Sequence, residues 1–316
     1  MASKIDIYQD THADQNKMKL LVAGGLSAAM SRTAAAPLLR VTILFQVQTM
    51  NSVGVPKEYT KGIVPAFRNI FQNEGVYGLF KGNLTSLVKK VPFAAIKFLS
   101  YERYKQIFTP SSEREASVWG RLGAGAAAAT TAVIVTYPLD FVQTQLAVQT
   151  TTRKYTGILN TISTVTKQEG ISQLYRGFNV ALLSTIPYIA INMTLWEHLK
   201  KLVRRKFSKE GPKGDTHKSG GLSPIVSALC GAVSGAVAST ITFPLDVLRR
   251  HMQLNSRAKG QDIQYASYLD CIRKIYLKDG VKGFYRGIIP HYLAVIPVVS
   301  LSLGSYDLLK VLMGVT

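Results

Sequence analysis

The sequence predicts an all-α membrane protein: six transmembrane helices from three tandem repeats of about 100 residues, gathered into a pseudo-threefold bundle. Three observations carry that prediction. Hydrophobic residues make up 47% of the 316 residues while the formal net charge is +20, which suggests apolar segments joined by basic connections. Three motifs each occur three times at matched spacing. Each repeat also holds two apolar runs, and about 20 helical residues cross a hydrocarbon core of ~30 Å.

The repeats are read from spacing. Proline clusters begin at Pro37, Pro138 and Pro244, in steps of 101 and 106 residues. An acid-Gly motif follows each, as EGVYGLFKGN (74–83), EGISQLYRGF (169–178) and DGVKGFYRGI (279–288). The units close with YERYK (101–105), WEHLK (196–200) and YDLLK (306–310). Both later motifs step by 95 and 110 residues, so each unit keeps its length from the acid-Gly motif to its end. A polar tail (1–17) should therefore precede repeats at 18–110, 111–206 and 222–316, with a hydrophilic linker at 207–221.

Within each repeat the elements follow one order. The first span is rich in small residues, and pairs spaced by four (Gly24/Ala28, Gly231/Gly235) allow close helix packing in a membrane. A proline inside such a span removes a backbone donor and kinks the helix, and an acid beside it is costly in lipid. Next come a basic loop and a short amphipathic stretch such as YTGILNTISTVTKQEG (155–170). The second span closes the unit: SLVKKVPFAAIKFLSY, ALLSTIPYIAINMTLW or YLAVIPVVSLSLGSY. Two spans per repeat put both termini on one side.

The same residues exclude other classes. Cys230 and Cys271 make no disulfide framework, and no His/Cys/acid cluster has metal-ligand spacing. No nucleophile elbow or phosphate-cradling loop is present, so neither an enzyme nor a cofactor is expected. Nucleic acid would account for the charge but not for six apolar spans. The polar, acid-containing N-terminus is neither a signal peptide nor a transit peptide, so any organelle address should lie in the mature chain. With about 17 residues before the first span, no calcium-binding extension is expected.

The Pro clusters, acid-Gly motifs and aromatic-acid-x-x-Lys endings together resemble the mitochondrial carrier family over essentially the whole chain. AGGLSAAMSRTAAAPLLRV, TYPLDFVQTQLA and LYRGFNVALL look most like ADP/ATP carriers; VPFAAIKF and PLDVLRRHMQ look more like coenzyme A and ATP-Mg/phosphate carriers. The resemblance implies a monomeric solute carrier of the mitochondrial inner membrane with short helices at its matrix face. Its cargo would be an anionic nucleotide or phosphorylated cofactor, exchanged by alternating access. Another small anion, such as a carboxylate or sugar phosphate, and a proton-leak protein of the same fold are the alternatives.

In that family the prolines make three helices converge at the matrix end, where an acid and a base three residues later pair between helices. Here Leu39 and Thr42 stand at those positions in repeat 1, Asp140 and Gln143 in repeat 2, and Asp246 and Arg249 in repeat 3. Cyclic pairing then leaves one ion pair, Asp140–Arg249, with Asp246 facing Thr42 and Leu39 facing Gln143. Gln46 and Gln253 match the family's brace beneath this layer. The opposite gate has full sets: Glu102/Lys105, Glu197/Lys200 and Asp307/Lys310. The expectation is a weak matrix gate, a strong cytoplasmic gate and a matrix-open resting state.

The cavity should be positive, because Arg32, Arg40, Lys89, Lys90, Lys97 and Arg250 have no assigned acid. Arg32 resembles a cationic cavity position of ADP/ATP carriers. Lys89, Ser184/Thr185 and Ala294 match the family's three contact points, although the second usually has a small Gly and the third a cation. Lys97 and Arg250 could add charge, and Tyr188 and Asn192 could stack on or hydrogen-bond a base. Gly75, Gly82, Gly170, Gly177, Gly280 and Gly287 lie beside helix N-termini, whose exposed amides bind anions. The family uses that region for cardiolipin headgroups.

Overall fold

The structure, a computed structural model, describes residues 2–50, 59, 61–108, 118–150, 154–207, 224–255 and 265–312. Nine α-helices occur among the described residues: α1 (Ala2–Gln46), α2 (Ile63–Leu79), α3 (Asn83–Phe108), α4 (Val118–Val148), α5 (Ile158–Glu169), α6 (Phe178–Phe207), α7 (Pro224–Leu254), α8 (Tyr268–Asp279) and α9 (Ile288–Leu312). Each repeat contributes long, short and long. The polar N-terminal stretch is helical and continues into the first span, because Ala2 to Ala23 contains neither glycine nor proline to break a helix. The linker at 207–221 lies outside the described residues beyond Phe207.

By length and hydropathy alone, the segments Gly123–Val148, Ile171–Arg205 and Val226–Leu254 are candidate membrane spans. Helix α3 carries Lys89, Lys90 and Lys97 along its middle, which lowers its hydropathy although its 26 residues are long enough to cross. Those charges mark a helix with one wet face. All six long helices run through an internal proline, at Pro37, Pro92, Pro138, Pro187, Pro244 and Pro297.

The second span of each repeat packs along the first span of the next: α3 with α4, α6 with α7, and α9 back with α1. Each seam carries a side-chain hydrogen bond. Tyr104 and Thr131 hydroxyls lie 2.9 Å apart, Ser234 Oγ donates to Asn192 Oδ1 at 2.7 Å, and Ser305 Oγ donates to Ser27 Oγ at 2.9 Å. The chain therefore closes a ring, as threefold internal symmetry requires.

Apolar packing concentrates at the proline-cluster end. Val41, Leu44 and Ile70 join α1 to α2; Phe141 and Val165 join α4 to α5; Val247, Cys271 and Ile275 join α7 to α8. These short helices are amphipathic and lie under the kinked ones. Helix α8 begins with a capping arrangement in which Ser267 Oγ accepts from the Asp270 amide at 3.2 Å and Asp270 accepts from the Ala266 amide at 3.0 Å.

The six motif glycines all have left-handed φ, between 63° and 88°. Gly82, Gly177 and Gly287 also sit against the kinked helix of the next repeat. A Cβ there would lie 2.9 Å from Gln143 O, 3.2 Å from Arg249 O and 2.7 Å from Thr42 O respectively. Those three carbonyls belong to the equivalent gate position of repeats 2, 3 and 1. Glycine is required at each for this backbone approach.

Candidate functional site

Asp140 is the centre of the closed end. Its side chain is 6% exposed, and three cations converge on it: Lys89 at 2.6 Å, Arg250 at 3.5 Å, and Arg249 in direct contact. Gln253 Nε2 also donates to its Oδ2 at 3.0 Å. Lys89 comes from α3, Asp140 from α4, and the two arginines from α7. Helix register places them: Asp140 lies just past the Pro138 turn of α4, and Arg249 and Arg250 lie one to two turns past Pro244. Such a cluster is stable only while the helices converge, because each charge has been taken out of water.

The structure thus brings Asp140 and Arg249 together, and adds Lys89 and Arg250, which the sequence reading left without an acid. Arg250 also donates to Thr144 Oγ and, at 3.0 Å, to Gln253 Oε1. Gln253 Nε2 also donates to Tyr137 OH at 3.2 Å. Gln46 contributes its backbone instead: its carbonyl accepts from His251 Nε2 at 2.9 Å, while His251 Nδ1 lies 2.9 Å from Tyr265 OH. Tyr137, Thr144 and His251 were not among the residues expected from sequence, although all three lie inside the quoted motifs.

One expected contact differs. Thr42 does not bond Asp246, because its hydroxyl donates to Leu38 O at 2.9 Å, one turn back on its own helix. Asp246 accepts instead from Ser184 Oγ at 3.1 Å. Leu39 and Gln143 do line one small cavity at the seam of repeats 1 and 2, where Gln143 Oε1 is buried without a partner among the described residues.

Arg40 is not a cavity cation. It is 1% exposed and bonds Ala147 O at 2.9 Å, Gln149 O at 2.8 Å, Gly78 O, and both carboxylate oxygens of Glu74 at 3.0 and 2.8 Å. Lys81 reaches the same Glu74 at 2.5 Å. The equivalent acid and base of repeat 3, Asp279 and Arg286, pair at 2.6 Å. The acid-Gly motifs therefore lock their own turns, and in repeat 1 they also anchor α1 to α4.

A cavity of about 470 Å³ lies inside the ring, lined by Arg32, Leu39, Tyr188, His291, Ala294 and the small face Gly231, Ala232 and Gly235 of α7. Arg32 Nε donates to Ser86 Oγ at 3.1 Å, one turn before Lys89 on α3. The wall cation and the floor cluster are therefore adjacent. Of the other expected substrate residues, Thr185 donates to Ala181 O at 2.6 Å. Asn192 sits in the α6–α7 seam with Ser234, close to Gly235, rather than offering its oxygen to the cavity. Lys97 lines a second hollow of about 800 Å³ nearer the opposite end, with Tyr101, Glu197 and His198.

At that opposite end Glu102, Lys105 and Glu197 are exposed, and Lys200 lies over the Trp196 ring at 3.6 Å. The side chains of Asp307 and Lys310 lie outside the described residues. Among the described residues the proline-cluster end, expected to hold only weakly, is the one that is shut. The lost repeat-1 charges are replaced by extra cations on Asp140 and by the apolar packing below it.

A groove of about 590 Å³ between repeats 3 and 1 is lined by Phe45, Ile63, Lys282, Arg286, Gly287 and Ile288. It combines two basic side chains with the N-terminus of α9.

Six long proline-bearing helices in a threefold ring, closed at one end over a cation cluster and hollow above it, define the architecture of a membrane carrier. The chain belongs to the mitochondrial carrier protein family, whose model matches residues 14–112, 114–207 and 220–315. Over 96% of this chain and 90% of the relative, it is 34% identical to the mitochondrial adenine nucleotide transporter ADNT1 of Arabidopsis thaliana. It is 35% identical to human ADP/ATP translocase 3 over 85% of this chain and 89% of that protein. The mitochondrial carrier protein CoAc1 of Zea mays is 33% identical over 94% of this chain and 87% of its own length.

Proposed function

We propose that this protein exchanges an adenine nucleotide, or a phosphorylated cofactor built on one, across the mitochondrial inner membrane by alternating access. The observation that carries the reading is one cavity in which Arg32 and Tyr188 stand beside a floor of Lys89, Arg249 and Arg250 around a single carboxylate. Cations in a water-filled funnel concentrate polyanions. The phosphates would take Arg32 and Lys89, and the base would lie between Tyr188 and the smooth α7 face at Gly231 and Gly235. Relatives named as adenine nucleotide and ADP/ATP carriers support the same cargo.

The floor also gives the anion a way to act on the gate. Lys89 is held by Asp140 in the closed state, so a phosphate competing for Lys89 weakens the contacts that keep the proline-cluster end shut. Binding and release of the gate then share one residue, as alternating access around a central site needs. The groove with Lys282, Arg286 and the α9 amides suits a lipid phosphate, which we assign to cardiolipin.

Purified protein in liposomes tests the function. Labelled ADP should enter only when nucleotide is present inside, and Lys89→Ala should abolish most of that uptake. Ion conductance without internal nucleotide would instead identify a leak protein. Uptake of carboxylates in preference to ADP would move the cargo to another anion class.

A further inference from the structure

We propose that His291 is a conditional cation of the transport site, so that the protein holds its anion best when this imidazole is protonated and carries a proton with the anion. The inference rests on the cavity being the transport site. Four cations, Arg32, Lys89, Arg249 and Arg250, face two carboxylates, Asp140 and Asp246, around it. A nucleoside di- or triphosphate carries more negative charge than that excess cancels. Ala294 stands on α9 where a permanent cation would complete the site, and it is buried against the cavity.

His291 lies one turn before Ala294 on the same face. His291, Ala294, Val295, Val298 and Ser302 all line the cavity, at the spacing one side of a helix gives. The ring is half-buried, with Nε2 3.4 Å from Ser239 Oγ on α7 and Phe243 edge-on at 5.8 Å between centroids. The charged groups acting on it are Asp246 from α7 and Arg32 from α1; Tyr188 of α6 shares the cavity wall, and Tyr292 is its neighbour on α9.

Asp246 is the counter-charge such an imidazolium needs. Its hydrogen bond comes from the neutral Ser184 hydroxyl, whereas the floor's ion pairs converge on Asp140. Histidine can change charge within the physiological range. Before an anion arrives, burial and Arg32 favour the neutral ring; Asp246 together with an arriving polyanion favours the imidazolium, so protonation is coupled to binding of the anion. A proton taken up beside the anion on one side would be released with it on the other.

The test compares wild type, His291→Gln and His291→Arg as full-length purified proteins whose unliganded melting points are first matched. Stabilisation by inorganic pyrophosphate gives its affinity at pH 6 and pH 8. Pyrophosphate itself becomes less negative towards pH 6, so its own titration works against the predicted direction. Wild type should bind it about tenfold more tightly at pH 6, a difference of about 1.4 kcal/mol. His291→Gln should lose that gain, and His291→Arg should bind tightly at both pH values. In liposomes holding ADP and a pH-sensitive dye at pH 8 and placed in ADP at pH 6, exchange should acidify the lumen with wild type and not with His291→Gln, because the imidazole enters protonated from the acidic side and returns neutral from the basic one. A wild-type pH profile in His291→Gln overturns the proposal. Failure of wild type to take up any nucleotide would defeat the nucleotide reading alone, because the pyrophosphate profile still decides the role of His291.

Discussion

Replacing Asp140 with asparagine isolates the charge at the gate. The amide has nearly the same shape, and its oxygen can still accept from Gln253 Nε2, now 3.0 Å from the carboxylate. What disappears is the negative charge that Lys89 at 2.6 Å, Arg250 at 3.5 Å and Arg249 in direct contact all share. Removing one partner of a buried ion pair costs about 3–5 kcal/mol, because the remaining charge is left desolvated. Here three cations lose their partner and also repel one another. The loss falls mainly on the closed state, since helix separation would let water reach the freed cations. At about 1.4 kcal/mol per factor of ten, even the lower figure shifts the equilibrium about a hundredfold away from closure. Two measurements check this: thermal unfolding of the detergent-solubilised protein, and ion leakage from liposomes without nucleotide. Asp140→Asn should melt several degrees lower and leak measurably. A melting point within one degree of wild type, together with tight liposomes, would refute the idea that this carboxylate holds the end shut.

Four further substitutions separate structural from transport roles. Gly287→Ala places a Cβ 2.7 Å from Thr42 O at φ 88°, while Gly170→Ala at φ 86° meets nothing within 4 Å. The first should destabilise by about 3 kcal/mol or more and the second by about 1–2 kcal/mol, both read as melting temperature. Arg40→Met removes a fully buried cation from Glu74 and three carbonyls, so it should lower stability by about 3 kcal/mol or more while ADP affinity of the folded protein stays unchanged. Arg32→Gln should do the opposite, weakening ADP binding at near-constant stability. Cys271 is fully buried, and burial pushes its thiol up to about 12. N-ethylmaleimide at pH 8 should leave it unmodified in native protein and label it only after unfolding, as mass spectrometry of the peptide would show.

Much of this architecture is written in local patterns. Triplicated motifs fix the repeat length, apolar runs fix the spans, and the residue types at the gate positions show that repeat 1 has lost its charges. Pairing across the ring is a different matter. Lys89 and Asp140 are 51 residues apart and Arg40 and Glu74 are 34 apart, and each choice depends on which helix face meets which. Composition treats Arg32, Arg40 and Lys89 alike. Burial sends Arg40 into a structural anchor, Lys89 into the gate and Arg32 to the cavity wall. The glycines at 82, 177 and 287 were legible as special but not for the reason that governs them, since the carbonyls they approach belong to the next repeat.

The uneven distribution of charge also sets where closure is strongest. At the seam of repeats 2 and 3, Asp140, Arg249, Arg250, Thr144 and Gln253 form one connected network. Between repeats 3 and 1, His251 ties α7 to Gln46 O and Lys278 donates to Thr49 O at 2.9 Å. The seam of repeats 1 and 2 has Arg40 and Lys81 on the outer carbonyls of α4, yet at gate level it offers Leu39 opposite Gln143, whose oxygen has no partner among the described residues. An unmet buried acceptor costs about 1–3 kcal/mol and is relieved by hydration. Separation at the gate should therefore begin between α1 and α4, with Lys89 moving away from Asp140 as α3 follows. Gln143→Leu removes that unmet acceptor while keeping the seam apolar. It should slow exchange while raising the melting temperature, and faster exchange in this variant would place the first opening at another seam.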